Sequence, residues 1–152
     1  MKRILSRRAF LQGSAAAAAG GVLMSKTVML KAQPLARAVA PSDRMRFGII
    51  GVGMEGTGLL STAITIPGVE CVGAADLYDG RHILAKELTS NTSLPTTRHY
   101  QELLDRKDID CIVAAVPDHW HARVVVDACK AGKDIYCEKP MSHNVADGLA
   151  MV

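Results

Sequence analysis

The feature that most constrains this chain is a glycine spacing held between two apolar runs. Gly51, Gly53 and Gly56 form G-x-G-x-x-G directly after Arg46-Phe47-Gly48-Ile49-Ile50, which reads as a buried strand. Leu59 to Ile64 reads as a helix that Pro67-Gly68 ends, and Val69 to Ala75 as a second strand finishing at Asp76, 20 residues beyond Gly56. Taken alone the string is an ordinary glycine-rich turn. With a strand before it, a helix after it and an acid closing the next strand, it is a dinucleotide-binding fingerprint. Gly51 permits the tight turn, Gly53 lets backbone approach a pyrophosphate, and Gly56 lets helix and strand pack closely. The helix N-terminus offers N–H groups and a positive dipole end to phosphate. The cofactor-facing residues of the loop are then Gly51, Gly53, Met54, Glu55 and Gly56. Asp76 would accept hydrogen bonds from the adenosine ribose hydroxyls and repel a 2′-phosphate, which favours NAD. Arg81 lies close enough in sequence to soften that repulsion, so NADP is the second candidate.

The rest of the chain keeps the same alternation. Arg81 to Leu88 has helical spacing, Thr89 to Thr97 is a polar loop, and Tyr100 to Leu104 fits a short helix before the acidic turn Asp105 to Asp110. Cys111 to Val116 is an uninterrupted apolar run, as expected of a central parallel strand covered on both faces. Pro117 stops it, a helix follows over Ala122 to Ala131, and Gly132 closes that helix. Ile135 to Cys137 is another short strand, and Asn144 opens a helix that runs to Val152. Strands alternating with helices predict an α/β fold, a Rossmann-like doubly wound parallel sheet. Aromatic residues are only 4%, so its core is built from Val, Ile, Leu and Ala.

Charge divides the chain at residue 40. Residues 1–40 hold seven Lys or Arg and no acid, whereas residues 41–152 hold eleven bases against fifteen acids. A body of net negative charge is a poor nucleic-acid binder, since phosphate contacts need clustered bases. The front segment reads as a leader: Lys2, Arg3, Arg7 and Arg8 precede an uncharged Ala/Gly-rich stretch from Ala9 to Ser25. That stretch is too short and too weakly apolar for a stable membrane span, which needs about 20 apolar residues. Ser6-Arg7-Arg8-Ala9-Phe10-Leu11 resembles the twin-arginine export signal, with Gln12 where Lys is usual. The resemblance implies that the twin-arginine translocase is a partner and that the protein is exported to a bacterial periplasm. Cleavage after Ala38 fits a small-x-small pattern; Pro41 hinders cleavage after Ala40, and a retained signal is the alternative. The expected division is therefore residues 1–40 as leader and 41–152 as nucleotide-binding domain.

A second cluster lies on the edge where nucleotides bind in such folds. Pro117-Asp118-His119-Trp120-His121-Ala122 follows the central strand, and Cys137-Glu138-Lys139-Pro140 follows the next one. Together with Ala131-Gly132-Lys133-Asp134-Ile135-Tyr136, the second string fits an A-G-K-x-V-x-x-E-K-P pattern. The combination resembles the N-terminal NAD(P)-binding domain of the Gfo/Idh/MocA oxidoreductases, over residues 46–152. The resemblance implies that Lys139 is catalytic, sitting beside the nicotinamide and a substrate hydroxyl. It places Glu138 near the nicotinamide ribose, His121 at a helix start close to the cofactor as a second catalytic residue, and Pro117 and His119 in the cofactor wall. Pro140 fixes the turn, with a cis bond before it left open. His119 and His121 lack the spacing and companions of a structural metal site, so no metal is expected. Trp120 reads as packing or a cleft wall, and Cys71, Cys111, Cys129 and Cys137 as free thiols.

Members of that family continue into a second α+β substrate domain that supplies further catalytic groups and often the oligomer interface. The chain reads as truncated before it: the N-terminal part of a parent expected to be a homo-oligomer, and inactive by itself. Three functions compete for the parent. One is an exported oxidoreductase acting on a sugar or cyclitol hydroxyl. Another is a glycosidase that uses bound NAD to oxidise a sugar transiently, so that elimination replaces hydrolysis. The last is a non-catalytic nucleotide-binding module.

Overall fold

The computed structural model describes residues 39–152, and the expected leader through Ala38 lies outside them. Apolar runs become parallel strands wherever both their faces are covered. β1 (Met45–Ile50) is flanked by β2 (Val69–Ala75) on one side and β4 (Cys111–Ala114) on the other. β3 (Thr96–Thr97) pairs outside β2, and β5 (Asp134–Cys137) outside β4, giving the parallel order β3-β2-β1-β4-β5. The connections are helical: α1 (Met54–Ala63), α2 (Asp79–Leu88), α3 (Gln101–Leu104) and α4 (Asp118–Lys130), with α5 (Val145–Ala150) after β5. The chain reverses its winding at β1, from β2 and β3 on one side to β4 and β5 on the other. That reversal opens a crevice at the carboxyl ends of the strands, where ligands bind in open α/β sheets.

Two apolar layers hold helices to the sheet. Phe47, Ile49, Val52, Leu60, Cys71, Ala74, Ala85 and Leu94 fill one. Ile50, Ala75, Leu103, Leu104, Ile109, Ile112, Ala114, Val124 and Ala128 fill the other. Side chains of successive β1 residues therefore enter opposite cores, as the two-residue period of a strand requires. Gly48 faces the second layer because a Cβ there would crowd Ile109, Ile112 and Leu103 at 3.1 to 3.4 Å. Pairing of β1 with β2 slips between Phe47 and Gly48, and the Arg106 guanidinium donates to the displaced Val72 carbonyl at 2.8 Å.

The expected fold class, a parallel Rossmann-like sheet, is the observed one. β2 has the expected bounds, β4 stops at Ala114 where Val116 was expected, α2 starts at Asp79 where Arg81 was expected, and three further helix expectations shift. α1 begins at Met54, five residues before the expected start, because the glycine loop leads straight into helical backbone. α4 begins at Asp118, four residues early, so His119, Trp120 and His121 are helical. α5 stops at Ala150 and is capped at its start by Asn144, whose side chain accepts from the Asp147 N–H at 2.9 Å. Among the described residues no helix is long and apolar enough to cross a membrane.

Candidate functional site

The glycine loop is built as a close-packed corner with an open lip. Gly51 has a φ of +88°, and a Cβ on it would run into the Ala115 carbonyl. A Cβ on Gly56 would run into the Gly51 carbonyl oxygen, so helix and loop touch backbone to backbone. Gly53 differs: a Cβ there would meet nothing within 4 Å. Gly53 is also the cap residue of α1 and supplies no side-chain hydrogen bond, which leaves first-turn N–H groups for another acceptor. The loop thus spends two glycines on packing and keeps the third where a phosphate would come close.

Asp76, at the end of β2, is held by backbone. Its Oδ2 accepts from the Val52 N–H at 2.8 Å and its Oδ1 from the Tyr78 N–H at 2.9 Å. Its own N–H donates to the Thr97 carbonyl at 3.1 Å. Each carboxylate oxygen keeps a further lone pair, enough for two ribose hydroxyls. The donor set at the loop and the acceptor pair at Asp76 fit a dinucleotide in both charge and polarity.

Gly51, Gly53, Asp76 and Pro117 line one cavity of about 450 Å³, together with Ile50, Ala75 and Val116. Its far wall carries Arg98, Tyr100, Trp120 and Arg123. The sequence reading did not assign Arg98, Tyr100 and Arg123 to the site: Arg98 and Tyr100 flank a two-residue strand and one turn of helix, and Arg123 lies on the expected helix α4 with nothing in its spacing to mark it. Tyr100 and Arg123 are held together by Asp127, which accepts from the Tyr100 hydroxyl at 2.6 Å and the Arg123 Nε at 3.2 Å. Burial, then the Asp127 carboxylate, pushes the Tyr100 phenol above its ordinary value. Arg81, close to Asp76 in sequence, is absent from the lining, whose cations are Arg98 and Arg123.

The remaining expected residues lie outside that cavity. Lys139 is exposed and its Nζ is 3.9 Å from Glu55 Oε1, which links the Glu138-Lys139-Pro140 turn to the start of α1. The Lys139–Pro140 bond is cis. Glu138 is half-buried and its N–H donates to the Ala114 carbonyl at 3.0 Å. Met54 and His119 are exposed. His143 Nδ1 is 2.9 Å from Asp118 Oδ2, while His119 Nδ1 is 3.5 Å from Asp118 Oδ1. Among the described residues no group of three or more His, Cys, Asp or Glu is arranged to hold a metal ion.

His121 lies near the start of α4, as expected, but its ring is turned into the protein. It lies one turn inside α4 and is 1% exposed. Its Nδ1 is 2.7 Å from the Pro140 carbonyl oxygen and its Nε2 is 2.8 Å from the Val116 carbonyl oxygen. Both ring nitrogens therefore lie within hydrogen-bond distance of a backbone carbonyl, to which the protonated one donates, and His121 is not among the residues lining the cavity.

A reversal point of a parallel sheet, a glycine corner and a fixed carboxylate define a dinucleotide-binding α/β domain. Residues 45–152 match the Gfo/Idh/MocA family, described as an oxidoreductase family with an NAD-binding Rossmann fold. The chain belongs to that family. A glycosyl hydrolase family 109 protein of Shewanella pealeana is 29% identical over 159 residues, covering 93% of this chain and 35% of the relative. An inositol 2-dehydrogenase of Salmonella typhimurium is 33% identical over 104 residues, covering 68% of this chain and 31% of the relative. The crystal structure of an NAD-binding protein from Listeria innocua superposes with a TM-score of 0.64 at 25% identity, over 71% of this chain and 31% of that one. The chain spans about a third of the length of the curated relatives it matches.

Proposed function

We propose that this chain is the nucleotide-binding part of an exported oxidoreductase that takes NAD, with NADP as the weaker alternative, and acts on a sugar or cyclitol hydroxyl. The observation that carries the reading is the cavity shared by the open Gly53 lip and the Asp76 carboxylate. When bound, the nicotinamide supplies a hydride acceptor or donor. The N–H groups of the loop bind the pyrophosphate, and Asp76 orients the adenosine ribose. The family resemblance supports for the Lys139 ammonium the role of donating to a substrate hydroxyl and stabilising negative charge that develops on that oxygen. Glu55 Oε1, 3.9 Å away, ties that ammonium to the start of α1. Glu138 supports the turn, and Pro117 forms part of the wall. The geometry supports a bracing role for His121 in place of the catalytic one expected from the sequence. His119 lies beside Asp118 and His143, and its place in the cofactor wall rests on the family resemblance.

A second reading is a glycosidase that oxidises its sugar transiently. It is favoured by the family 109 relative, which matches over 93% of this chain. The discriminating experiment uses the protein continued through its substrate domain, incubated with a nitrophenyl glycoside and no added NAD. Release of nitrophenol supports the glycosidase; nicotinamide reduction with free inositols or sugars, and no release, supports the dehydrogenase. Lys139→Ala leaving every activity unchanged would support a non-catalytic nucleotide module instead.

Export by the twin-arginine translocase to the periplasm is part of the proposal and rests on the Ser6 to Leu11 string. So is a homo-oligomeric parent, which rests on the family resemblance alone. Replacing Arg7 and Arg8 by Lys should block export, and unchanged export would remove that part of the reading.

A further inference from the structure

Beside the carboxylate that selects NAD stands a cation that would suit NADP. β2 and β3 are parallel and in register at Ala74 with Thr96 and Ala75 with Thr97. The next residue on each strand, Asp76 and Arg98, therefore lies at the same edge, and both line the cavity. A guanidinium in that position matches a 2′-phosphate in charge and in its forked donor geometry. It is already taken. Arg98 Nε donates to Asp79 Oδ1 at 2.9 Å and its second nitrogen donates to Asp79 Oδ2. Asp79 opens α2, three residues beyond Asp76, and does not itself line the cavity. It also lies 3.9 Å from His82 Nδ1, whose Nε2 is held at 2.8 Å by the Asp76 carbonyl.

We propose that Asp79 is a specificity-determining residue that masks a latent 2′-phosphate site by occupying Arg98. A bidentate carboxylate leaves the guanidinium fork without free donors on that side, so a phosphate must displace Asp79 before it can be bound. NADP is then disfavoured twice, by the Asp76 charge and by the capture of the cation that would compensate it. The inference rests on the nucleotide reading above but concerns a residue that touches no nucleotide in that reading.

The test is equilibrium binding of NAD and NADP to the full chain, unaltered and with Asp79→Asn, Asp79→Ser, or Asp79→Asn combined with Arg98→Ala. Both single variants should raise NADP affinity relative to NAD by about tenfold, the worth of one freed charge-assisted contact. The added Arg98→Ala change should remove that gain. Asp79 is exposed, and two different replacements guard against a folding defect in one. Unchanged NADP-to-NAD ratios in folded variants overturn the inference while leaving the nucleotide reading intact, as does a gain that survives loss of Arg98. Absence of NAD binding by the unaltered chain would instead overturn the nucleotide reading, and this inference with it.

Discussion

His121 ties the Lys139-Pro140 turn to the wall of the nucleotide cavity: Nδ1 reaches the Pro140 carbonyl oxygen at 2.7 Å while Nε2 reaches that of Val116 at 2.8 Å. The two carbonyls belong to segments following different strands, and the ring between them is 1% exposed. Replacing it by Ala strands two polar groups and opens a cavity. His121→Ala should cost about 2–5 kcal/mol in urea denaturation. His121→Gln, which keeps a donor, should recover part of the loss. Equal stability of the Ala variant and the unaltered chain would contradict the bracing role.

The three glycines should separate in their effects. Gly51→Ala and Gly56→Ala place a Cβ against backbone, and both should lower the melting temperature clearly. Gly53→Ala meets nothing within 4 Å, so it should melt with the unaltered chain yet bind NAD more weakly. Differential scanning fluorimetry with and without nucleotide reads both effects. Loss of stability at Gly53 would show that the lip is packed, not open.

The pair of His143 and Asp118 joins the turn after Pro140 to the first turn of α4 at 2.9 Å. The hydrogen bond to Asp118, then its charge, holds the His143 proton to higher pH than usual, and the His143 side chain holds Asp118 below the ordinary carboxyl range. The His143 part of the coupling is complete below the ordinary histidine pKa and is lost as pH rises through the raised value. The Asp118 part is present above the ordinary carboxyl pKa and is lost as pH falls through the lowered one. An NMR titration should find the His143 midpoint raised, and Asp118→Asn should bring it down. A midpoint indifferent to Asp118→Asn would mean the pair does not form in solution.

Thiol reactivity should follow burial. Cys71 lies in the first core layer, and burial pushes its thiol up to about 11. Cys129 is exposed on α4. Alkylation near neutral pH, followed by mass spectrometry, should label Cys129 first and Cys71 last. Early labelling of Cys71 would mean that β2 is less protected than its packing implies.

Periodicity made the sheet legible. Val69 to Ala75, apolar but for Glu70, and the apolar run Cys111 to Val116 are long enough to declare strands, and the glycine spacing with Asp76 declared the corner they frame. What it did not disclose depends on backbone or on distance along the chain. β3 is two threonines recruited by hydrogen bonds to β2, with no apolar pattern to mark them, so Arg98 went unplaced. The starts of α1 and α4 were set too late because their first turns, Met54 to Thr57 and Asp118 to His121, carry glycine, polar and exposed residues in place of an apolar helical spacing. The partners of His121 are carbonyls 5 and 19 residues away, and no side-chain pattern encodes a carbonyl.

The central claim is that Gly53 and Asp76 together make a nucleotide site. Isothermal titration of NAD into the full chain, and into Gly53→Ala and Asp76→Ala, tests it most directly. The predicted result is saturable binding of one NAD per chain, weakened at least about tenfold by either change with the fold intact. No saturable heat, or binding that neither change alters, would contradict it.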